Sequence, residues 1–313
     1  MPSITCIAKL EEAHRPRLDT YIAKTLRILS RSQIKTRNLT ALSNGKKVKL
    51  SYTLSGGELL ELNWDDAPPS IVVPENIPLD VLYEDGRVIV VNKPQGMVVH
   101  PAAGNFTGTL MNALAYRRGG VPTSGARSFI VHRLDKDTSG VIICAYDEDA
   151  LRFLASQFKS RTVKKTYYAV VKGRPKEPEG RIKTFICRDK KDRKKFTVSQ
   201  ANGKLAVTHY RALKPVCLDF AGNAAYTLLA LSPKTGRTHQ LRVHLRHIGC
   251  PIAGDPLYGA VSKDFPALML HAARLRIMLP GAESPLCFSA PFPSRFREAL
   301  KTEKTTRHNA TSP

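Results

Sequence analysis

Short apolar runs rich in β-branched residues constrain this fold more than any other feature. They recur as GRVIVVNKP, FIVHRLD, GVIICAY, KTYYAVVKG and YTLLALS, with polar segments between them. Runs of this length and composition are typical of buried strands. Two helices are predicted among them. Residues 147–160 have Asp147 as cap, and residues 238–248 have Thr238 as cap and Gly249 as stop. Because strands outnumber helices and do not alternate with them, we expect an α+β fold with a mixed, largely antiparallel sheet flanked by helices.

The first 66 residues have an organisation of their own. Tyr21, Ile22 and Leu26 recur at helical spacing, and LSNGKKVKLSYTLSGGELLELNW predicts two strands, each preceded by a glycine turn. We therefore expect a small α/β domain over residues 1–66, a proline-rich linker over 67–80 and a larger domain over 81–295. Residues 296–313 are basic and are predicted to form a disordered tail.

The charge balance points to an anionic partner. The chain carries 49 Lys and Arg against 26 Asp and Glu, a formal net charge of +23. Nucleic acid is the first expectation, because bound phosphates offset the self-repulsion and release counterions. A membrane surface is the alternative. We expect no membrane role, because the sequence has neither a long apolar span nor an amphipathic helix with anchoring aromatics.

The cysteine pattern bears on the compartment. Six cysteines occur, widely spaced and without a CxxC pair, which fits neither a zinc site nor a disulfide framework. The N-terminus shows no apolar segment typical of a secretory signal. We therefore expect a reduced, cytoplasmic protein.

The segment VHRLDKDTSGVIICA, residues 131–145, places a polar cluster between two apolar runs. The residues alone allow a hairpin turn in which Asp135 and Asp137 are solvated. They also allow the paired carboxylates of a glycosidase, although acids so close in sequence cannot easily bracket a sugar. A third interpretation is a single ionised Asp135 kept charged by Arg133 and Lys136. Composition does not choose between the first and the third.

Four segments resemble one enzyme family. HRLDKDTSG resembles the signature of the RluA-type pseudouridine synthases. NKPQGMVVHPAAGNFTGTLMNAL, KTYYAV and TGRTHQLRVHLRHIGCPIAGDPLYG resemble its other motifs, so that the likeness spans about residues 80–295. The first of these three is most similar to the RluD branch, which modifies large-subunit ribosomal RNA. RLDTYIAK, SRSQIK and NGKKVKLSYTLSGGELLEL resemble the small S-four RNA-binding domain, but TRNLTALSNG departs from its usual acidic-Gly turn.

The family resemblance implies an isomerisation. The bond between ribose and a uracil nitrogen breaks, the base rotates, and a carbon rejoins the sugar, with neither cofactor nor metal. Asp135 matches the catalytic aspartate, as nucleophile or as base at the sugar. Tyr167 matches the active-site tyrosine, and neighbouring Tyr168 must face the other side of the strand. Arg237 matches the arginine expected to pair with the aspartate.

The resemblance also implies that the target base is flipped out of the RNA. Arg133 is expected to help fill the vacated stack. The other expected RNA contacts are His132, Lys165, Arg242, His244, Arg17 and Arg31, and a basic loop at residues 188–195. We expect a monomer acting on large-subunit ribosomal RNA, without a metal site among its histidines. The alternatives are transfer RNA or another ribosomal site as the target, or a non-catalytic assembly factor. The last is disfavoured because Asp135, Tyr167 and Arg237 are all present.

Overall fold

A computed structural model describes residues 2–10, 15–29, 31–65, 72–102, 104–120, 130–189, 191–218, 224–259, 261 and 263–301. The chain divides into two compact units, Met1–Ile71 and Val72–Pro313. The division falls inside the linker predicted at residues 67–80. No helix of the described residues is both long and apolar enough to cross a membrane.

The first unit is a small antiparallel sheet covered by two helical segments. Its strands are β1 (Ser3–Ile7), β2 (Thr40–Ser43), β3 (Lys46–Val48) and β4 (Leu59–Asn63), in the order β1-β4-β2-β3. Helix α1 (Leu18–Tyr21) continues as a π-helical turn (Ile22–Leu26), and α2 spans Arg31–Thr36. Asn44 and Gly45 both have positive φ, which suits the two-residue turn between β2 and β3. The predicted Asn-Gly turn is therefore confirmed.

The second unit is built on one large sheet. Its strands are β5 (Val81–Glu84), β6 (Val88–Lys93), β7 (Ser139–Ala145), β8 (Lys164–Lys172), β9 (Glu179–Arg188), β10 (Phe196–Ser199), β11 (Lys204–Leu218), β12 (Ala224–Pro233), β13 (Leu270–Ile277) and β14 (Leu286–Ser289). The order is β10-β9-β11-β12-β8-β13-β7-β6-β5, and β14 pairs with β13. In the described residues, β7 and β13 run parallel and the other pairs are antiparallel. The predicted α+β fold with a mixed, largely antiparallel sheet is confirmed.

Four helices accompany this sheet in the described residues: α3 (Leu110–Arg117), α4 (Glu148–Ser160), α5 (Gln240–His247) and α6 (Ser294–Lys301). The predicted start of α4 is confirmed, because the Asp147 carboxylate accepts a hydrogen bond from the backbone N–H of Ala150 at 2.7 Å. The predicted cap of α5 is wrong. The capping residue is His239, in the left-handed conformation with φ 55°, and not Thr238.

Two further sequence predictions are corrected. FIVHRLD was expected to be a strand, but Ile130 forms an isolated bridge with Cys144 and residues 131–138 form no strand; Phe129 lies outside the described residues. The disordered tail was expected from residue 296. Instead α6 reaches Lys301, and Phe296 is fully buried because it completes the core against β8, β12 and β13. Residues 302–313 lie outside the described part of the chain.

Strand β7 lies at the centre of the core, and every one of its residues is buried. Ile142 and Cys144 pack with α3, whereas Val141 and Ile143 pack with α4. This alternation follows from the two-residue period of a strand. The segment that directly precedes β7 is therefore anchored to a strand with helices on both faces.

Candidate active site

Residues 135–138 form a tight turn, called here the Asp135 turn, that leads into β7. The backbone N–H of Thr138 donates to the carbonyl of Asp135 at 3.1 Å. Gly140 follows with φ 115°, and a Cβ added there would overlap the backbone carbonyl of Ala272 on β13. Only glycine fits this close parallel approach of two strands. The sequence TSG thus sets the position of the turn relative to β13.

Lys93 connects a neighbouring loop to the Asp135 turn from within the core. Its side chain is fully buried, and Nζ donates to the carbonyls of Pro94 at 2.8 Å, Met97 at 2.9 Å and Lys136 at 3.0 Å. Burial lowers the pKa of Lys93 to about 7, although the carboxylates of Asp137 and Asp135 favour its charged form. Its position fixes the backbone beside Asp135 on the side opposite β13.

Arg242 stands between two carboxylates. Its Nη1 lies 3.5 Å from Oδ2 of Asp135, and its Nε and Nη2 donate to the two oxygens of Asp255 at 2.8 and 2.7 Å. Arg242 and Asp255 are both buried, whereas the Asp135 side chain is 21% exposed. Burial opposes the charge of Arg242, but the hydrogen bonds and charge of Asp255 outweigh it and raise the pKa of the guanidinium. The result is a fixed cation behind an accessible carboxylate.

The expected pairing of Arg237 with Asp135 is wrong. Nε of Arg237 donates to the carbonyl of Leu205 at 3.0 Å, and its backbone N–H donates to the side chain of Gln240 at 3.1 Å. Among the described residues, Asp135 has its ion pair with Arg242. Arg237 precedes α5 in a turn held by Gln240, whereas Arg242 lies on the buried face of α5.

A cleft of about 510 Å³ opens in front of Asp135. Tyr167 lines this active-site cleft, and burial together with the charge of Asp135 raises the pKa of its hydroxyl, so that the phenol is neutral. Tyr168 faces away and packs edge-on against Phe292, with ring centres 5.1 Å apart. The expectation that one tyrosine of the pair faces the site is met by Tyr167.

His132 and Lys165 form one wall of the active-site cleft beside Phe158 of α4. Nε2 of His132 accepts from the backbone N–H of Ile143 at 3.2 Å, and its ring stacks on Phe158 at 4.6 Å. Burial lowers the pKa of His132 to about 3 and also lowers the pKa of Lys165. His132 is therefore neutral and holds the turn, while Arg133 is exposed at the mouth of the cleft.

Two expected RNA contacts are corrected by their burial. His244 is fully buried, and its ring nitrogens lie 2.9 Å from the hydroxyl of Thr208 and 3.1 Å from that of Thr184. Burial lowers the pKa of His244 to about 4. Arg242 is committed to two carboxylates. Neither side chain is placed to meet a phosphate, because packing turns that face of α5 inward.

The remaining expected contacts lie on exposed surfaces. In the first unit, Arg17 Nε and Arg31 Nη2 bind the carboxylate of Asp19 at 3.2 and 2.6 Å. Burial opposes the charge of Asp19, but these two hydrogen bonds lower its pKa to about 2. Both arginine side chains remain more than half exposed, at 54% and 61%. The basic loop at residues 188–195 joins β9 to β10, and Lys190 lies outside the described residues.

Four residues of the site were not assigned from the sequence: Lys93, Asp255, His239 and Tyr258. All four lie in the motif segments NKPQG and TGRTHQLRVHLRHIGCPIAGDPLYG. For Asp255 the sequence did contain a signal, because this acid stands in an otherwise apolar stretch. The structure shows that its side chain is fully buried. A buried carboxylate requires a cationic partner.

The chain is similar to known proteins of one family. Residues 87–247 match the sequence pattern of the RNA pseudouridylate synthase family. The chain is 45% identical to a ribosomal large subunit pseudouridine synthase D of Borreliella burgdorferi, over 90% of this chain and 87% of that protein. It is 40% identical to an uncharacterised RNA pseudouridine synthase of Bacillus subtilis, over 94% of this chain and 96% of that protein. A solved structure, human RNA pseudouridylate synthase domain containing 1, is 30% identical with a TM-score of 0.56, over 70% of this chain and 85% of that one.

Proposed function

This chain belongs to the RNA pseudouridylate synthase family and is an RNA pseudouridine synthase, and we propose that it isomerises specific uridines of large-subunit ribosomal RNA. The choice of RNA is supported by the relative from Borreliella burgdorferi, which is a ribosomal large subunit pseudouridine synthase D. The net charge of +23 suits a long polyanionic substrate. We further propose that Asp135 is the catalytic carboxylate.

The observation that carries the role of Asp135 is its setting. The carboxylate is partly exposed in a cleft, next to the buried guanidinium of Arg242. Attack on the sugar, attack on the uracil ring and removal of a sugar proton each require an ionised carboxylate. Arg242 supplies the opposite charge and fixes the carboxylate in position.

In the proposed reaction the ribose–nitrogen bond of the uridine breaks and a bond from the same sugar carbon to a ring carbon forms. The proton leaves that ring carbon, and the freed nitrogen ends with a proton, so that atoms balance within the nucleotide. Tyr167 lies on the wall of the active-site cleft as a neutral phenol, where it can pack against the rotating base. One carboxylate suffices because no water has to be activated.

The uridine must leave its stack to reach Asp135, at a cost of a few kcal/mol. Arg133 is two residues from Asp135 and is exposed in the same cleft. We propose that its side chain helps to fill the gap left by the flipped base. The exposed cations around the active-site cleft would hold the phosphates that flank the target, namely Lys159, Arg161 and Lys234.

The test is pseudouridine mapping of ribosomal and transfer RNA in a strain that lacks the native enzyme and carries a plasmid-borne variant. We expect Asp135→Asn to abolish the modification that the wild-type gene restores. Asp137→Asn is the matched control, because it removes the other carboxylate of the same turn and should leave the modification in place. Wild-type modification by Asp135→Asn would refute the proposed chemistry. Restoration confined to transfer RNA would refute the ribosomal target alone.

A further inference from the structure

A histidine that has no place in the mechanism above lies on the wall of the active-site cleft. His239 caps α5, and its backbone is left-handed with φ 55°, a conformation that few residues other than glycine adopt. Its Nδ1 lies 2.8 Å from the hydroxyl of Tyr258, and its ring meets those of Phe196 and Tyr258 edge-on. The ring is therefore held on both sides by packing and at one nitrogen by a hydrogen bond.

The tautomer of His239 follows from the hydrogen bonds of Tyr258. The backbone N–H of Phe196 donates to the Tyr258 oxygen at 2.7 Å, so that oxygen already accepts one hydrogen bond. The hydroxyl proton of this buried residue needs an acceptor, and among the described residues Nδ1 of His239 is the one within reach. Burial raises the pKa of Tyr258, which keeps the proton on the phenol. Nδ1 is thus the acceptor, and the ring proton resides on Nε2.

The second nitrogen, Nε2, belongs to a residue that lines the active-site cleft. Among the described residues Nε2 has no hydrogen-bond partner. Every buried side-chain nitrogen or oxygen of those residues does have a partner, so Nε2 is not a buried atom. Nε2 is therefore accessible to solvent. Burial lowers the pKa of His239, and the charge of Arg242 and Arg133 acts in the same direction against the opposing charges of Asp135 and Asp255. At neutral pH the ring presents a neutral, fixed N–H donor.

We propose that His239 is a substrate-contacting residue whose Nε2–H donates a hydrogen bond to a carbonyl oxygen of the flipped uracil. The inference rests on the proposed uridine isomerisation. A neutral donor suits an uncharged acceptor, whereas the exposed cations Lys159, Arg161 and Lys234 are available for phosphates. Uracil carries two carbonyl oxygens. Tyr258 is then a positioning residue, which acts by fixing the tautomer.

The first experiment compares two substitutions in the full-length enzyme. In His239→Gln the amide reaches the position of Nε2 and can still donate, whereas in His239→Asn it reaches only the position of Nδ1. Asparagine also tolerates the left-handed backbone better than glutamine, so a purely structural effect would favour Asn. We expect kcat/KM of the Gln variant within about threefold of wild type and that of the Asn variant reduced about tenfold. Equal activity of the two variants would overturn the proposal.

The second experiment identifies the acceptor. Synthetic RNA carries 2-thiouridine or 4-thiouridine at the target position, since sulfur accepts hydrogen bonds more weakly than oxygen. We expect one of the two thio substitutions to reduce kcat/KM of the wild type and to add no further loss in His239→Asn. A different outcome is that His239→Asn lowers kcat/KM by the same factor on the uridine, 2-thiouridine and 4-thiouridine RNAs. The partner of His239 would then be another group, such as a phosphate, and the proposal would be overturned.

The third measurement needs no substrate and so separates this inference from the proposed function. ¹⁵N NMR of the folded enzyme should show His239 as the Nε2–H tautomer, and Tyr258→Phe should release it into a mixture. The Tyr258→Phe change should lower kcat/KM in the wild type but not in His239→Asn. An Nδ1–H tautomer in the wild type would overturn the inference even if Asp135→Asn abolishes isomerisation as expected.

Discussion

The guanidinium of Arg242 is shared between two carboxylates, and this sharing decides how single substitutions near Asp135 should behave. Lysine keeps the positive charge but cannot hold Asp255 through two hydrogen bonds and still reach Asp135. We expect Arg242→Lys to reduce kcat by roughly 100-fold, the cost typical of a misplaced catalytic group. Single-turnover isomerisation of an RNA stem-loop would measure it.

The matched control is Arg237→Lys, which makes the same substitution five positions earlier in the sequence. Because Arg237 donates to a backbone carbonyl and not to Asp135, its replacement should change kcat far less. A larger loss in Arg237→Lys than in Arg242→Lys would mean that the ion pair seen here is not the one used in catalysis.

Single residues also show where sequence reasoning reaches its limit. Asp135 and Tyr167 could be selected from their motifs, and both lie in the active-site cleft. Arg237 and Arg242 stand five positions apart in one motif, and nothing in the pattern TGRTHQLR says which of them faces the aspartate. That choice depends on the packing of α5, whose buried face carries Arg242 and His244 inward. Long-range packing of this kind is not encoded in local spacing.

Helix α4 is the element whose stability is easiest to test. The Asp147 carboxylate caps its N-terminus through the N–H of Ala150 at 2.7 Å and also pairs with Arg87. We expect Asp147→Ala to lower the free energy of unfolding by about 1 kcal/mol, a typical value for loss of a cap. Glu148→Ala is the control, because among the described residues the side chain of Glu148 forms just an exposed ion pair with Arg152. Urea unfolding followed by circular dichroism would measure the free energy of unfolding of both variants. An equal loss of stability in Asp147→Ala and Glu148→Ala would argue against the cap.

Elements with strong periodicity were predicted well, and those defined by tertiary contacts were not. The apolar runs of β6, β7, β8 and β12 and the stripe of α4 are visible in the sequence. FIVHRLD has the composition of a strand, but its residues 131–135 form no strand, and the N–H of Ile143 bonds to the ring of His132. The cap of α5 was missed because His239 has φ 55°, a conformation uncommon in residues other than glycine, and because its contact with Tyr258 is a tertiary one.

For the whole molecule, buried neutral histidines predict acid sensitivity. Burial lowers the pKa of His244 to about 4 and that of His271 to about 4, below the ordinary value of 6.5. Between pH 4 and pH 6.5 the unfolded chain binds more protons than the folded one. The contribution of these histidines to the free energy of unfolding is therefore fully present above pH 6.5 and is lost as the pH falls toward 4. Each such group contributes a slope of up to about 1.4 kcal/mol per pH unit.

Urea unfolding between pH 7 and pH 5 would measure this loss. His244→Gln cannot titrate and should show a shallower dependence on pH than the wild type. His271→Gln, which removes another buried histidine with a lowered pKa, should make the dependence shallower as well. If His244→Gln were as acid-sensitive as the wild type, burial of this ring would not be the cause.

The two-unit organisation predicts a division of labour. We propose that residues 1–66 form an S-four-like RNA-binding domain that adds contacts through exposed cations such as Arg17 and Arg31. Deletion of residues 1–66 should weaken binding to a long ribosomal RNA fragment. It should also make the salt dependence of that binding shallower, because fewer phosphates are neutralised. Isomerisation of a small stem-loop should persist. Its complete loss in a folded truncated protein would contradict this division.

The parallel pairing of β7 with β13 has a consequence for folding of the enzyme during its synthesis on the ribosome. Ser139 and Gly140 are paired with His271 and Ala272, so the Asp135 turn gains its final support only after a segment far along the chain has emerged. At about 5–20 residues per second the delay is on the order of 10 s. Arrested nascent chains that end before residue 270 should therefore show no isomerase activity. The nascent chain is therefore expected to leave nearby RNA unmodified until its synthesis is almost finished.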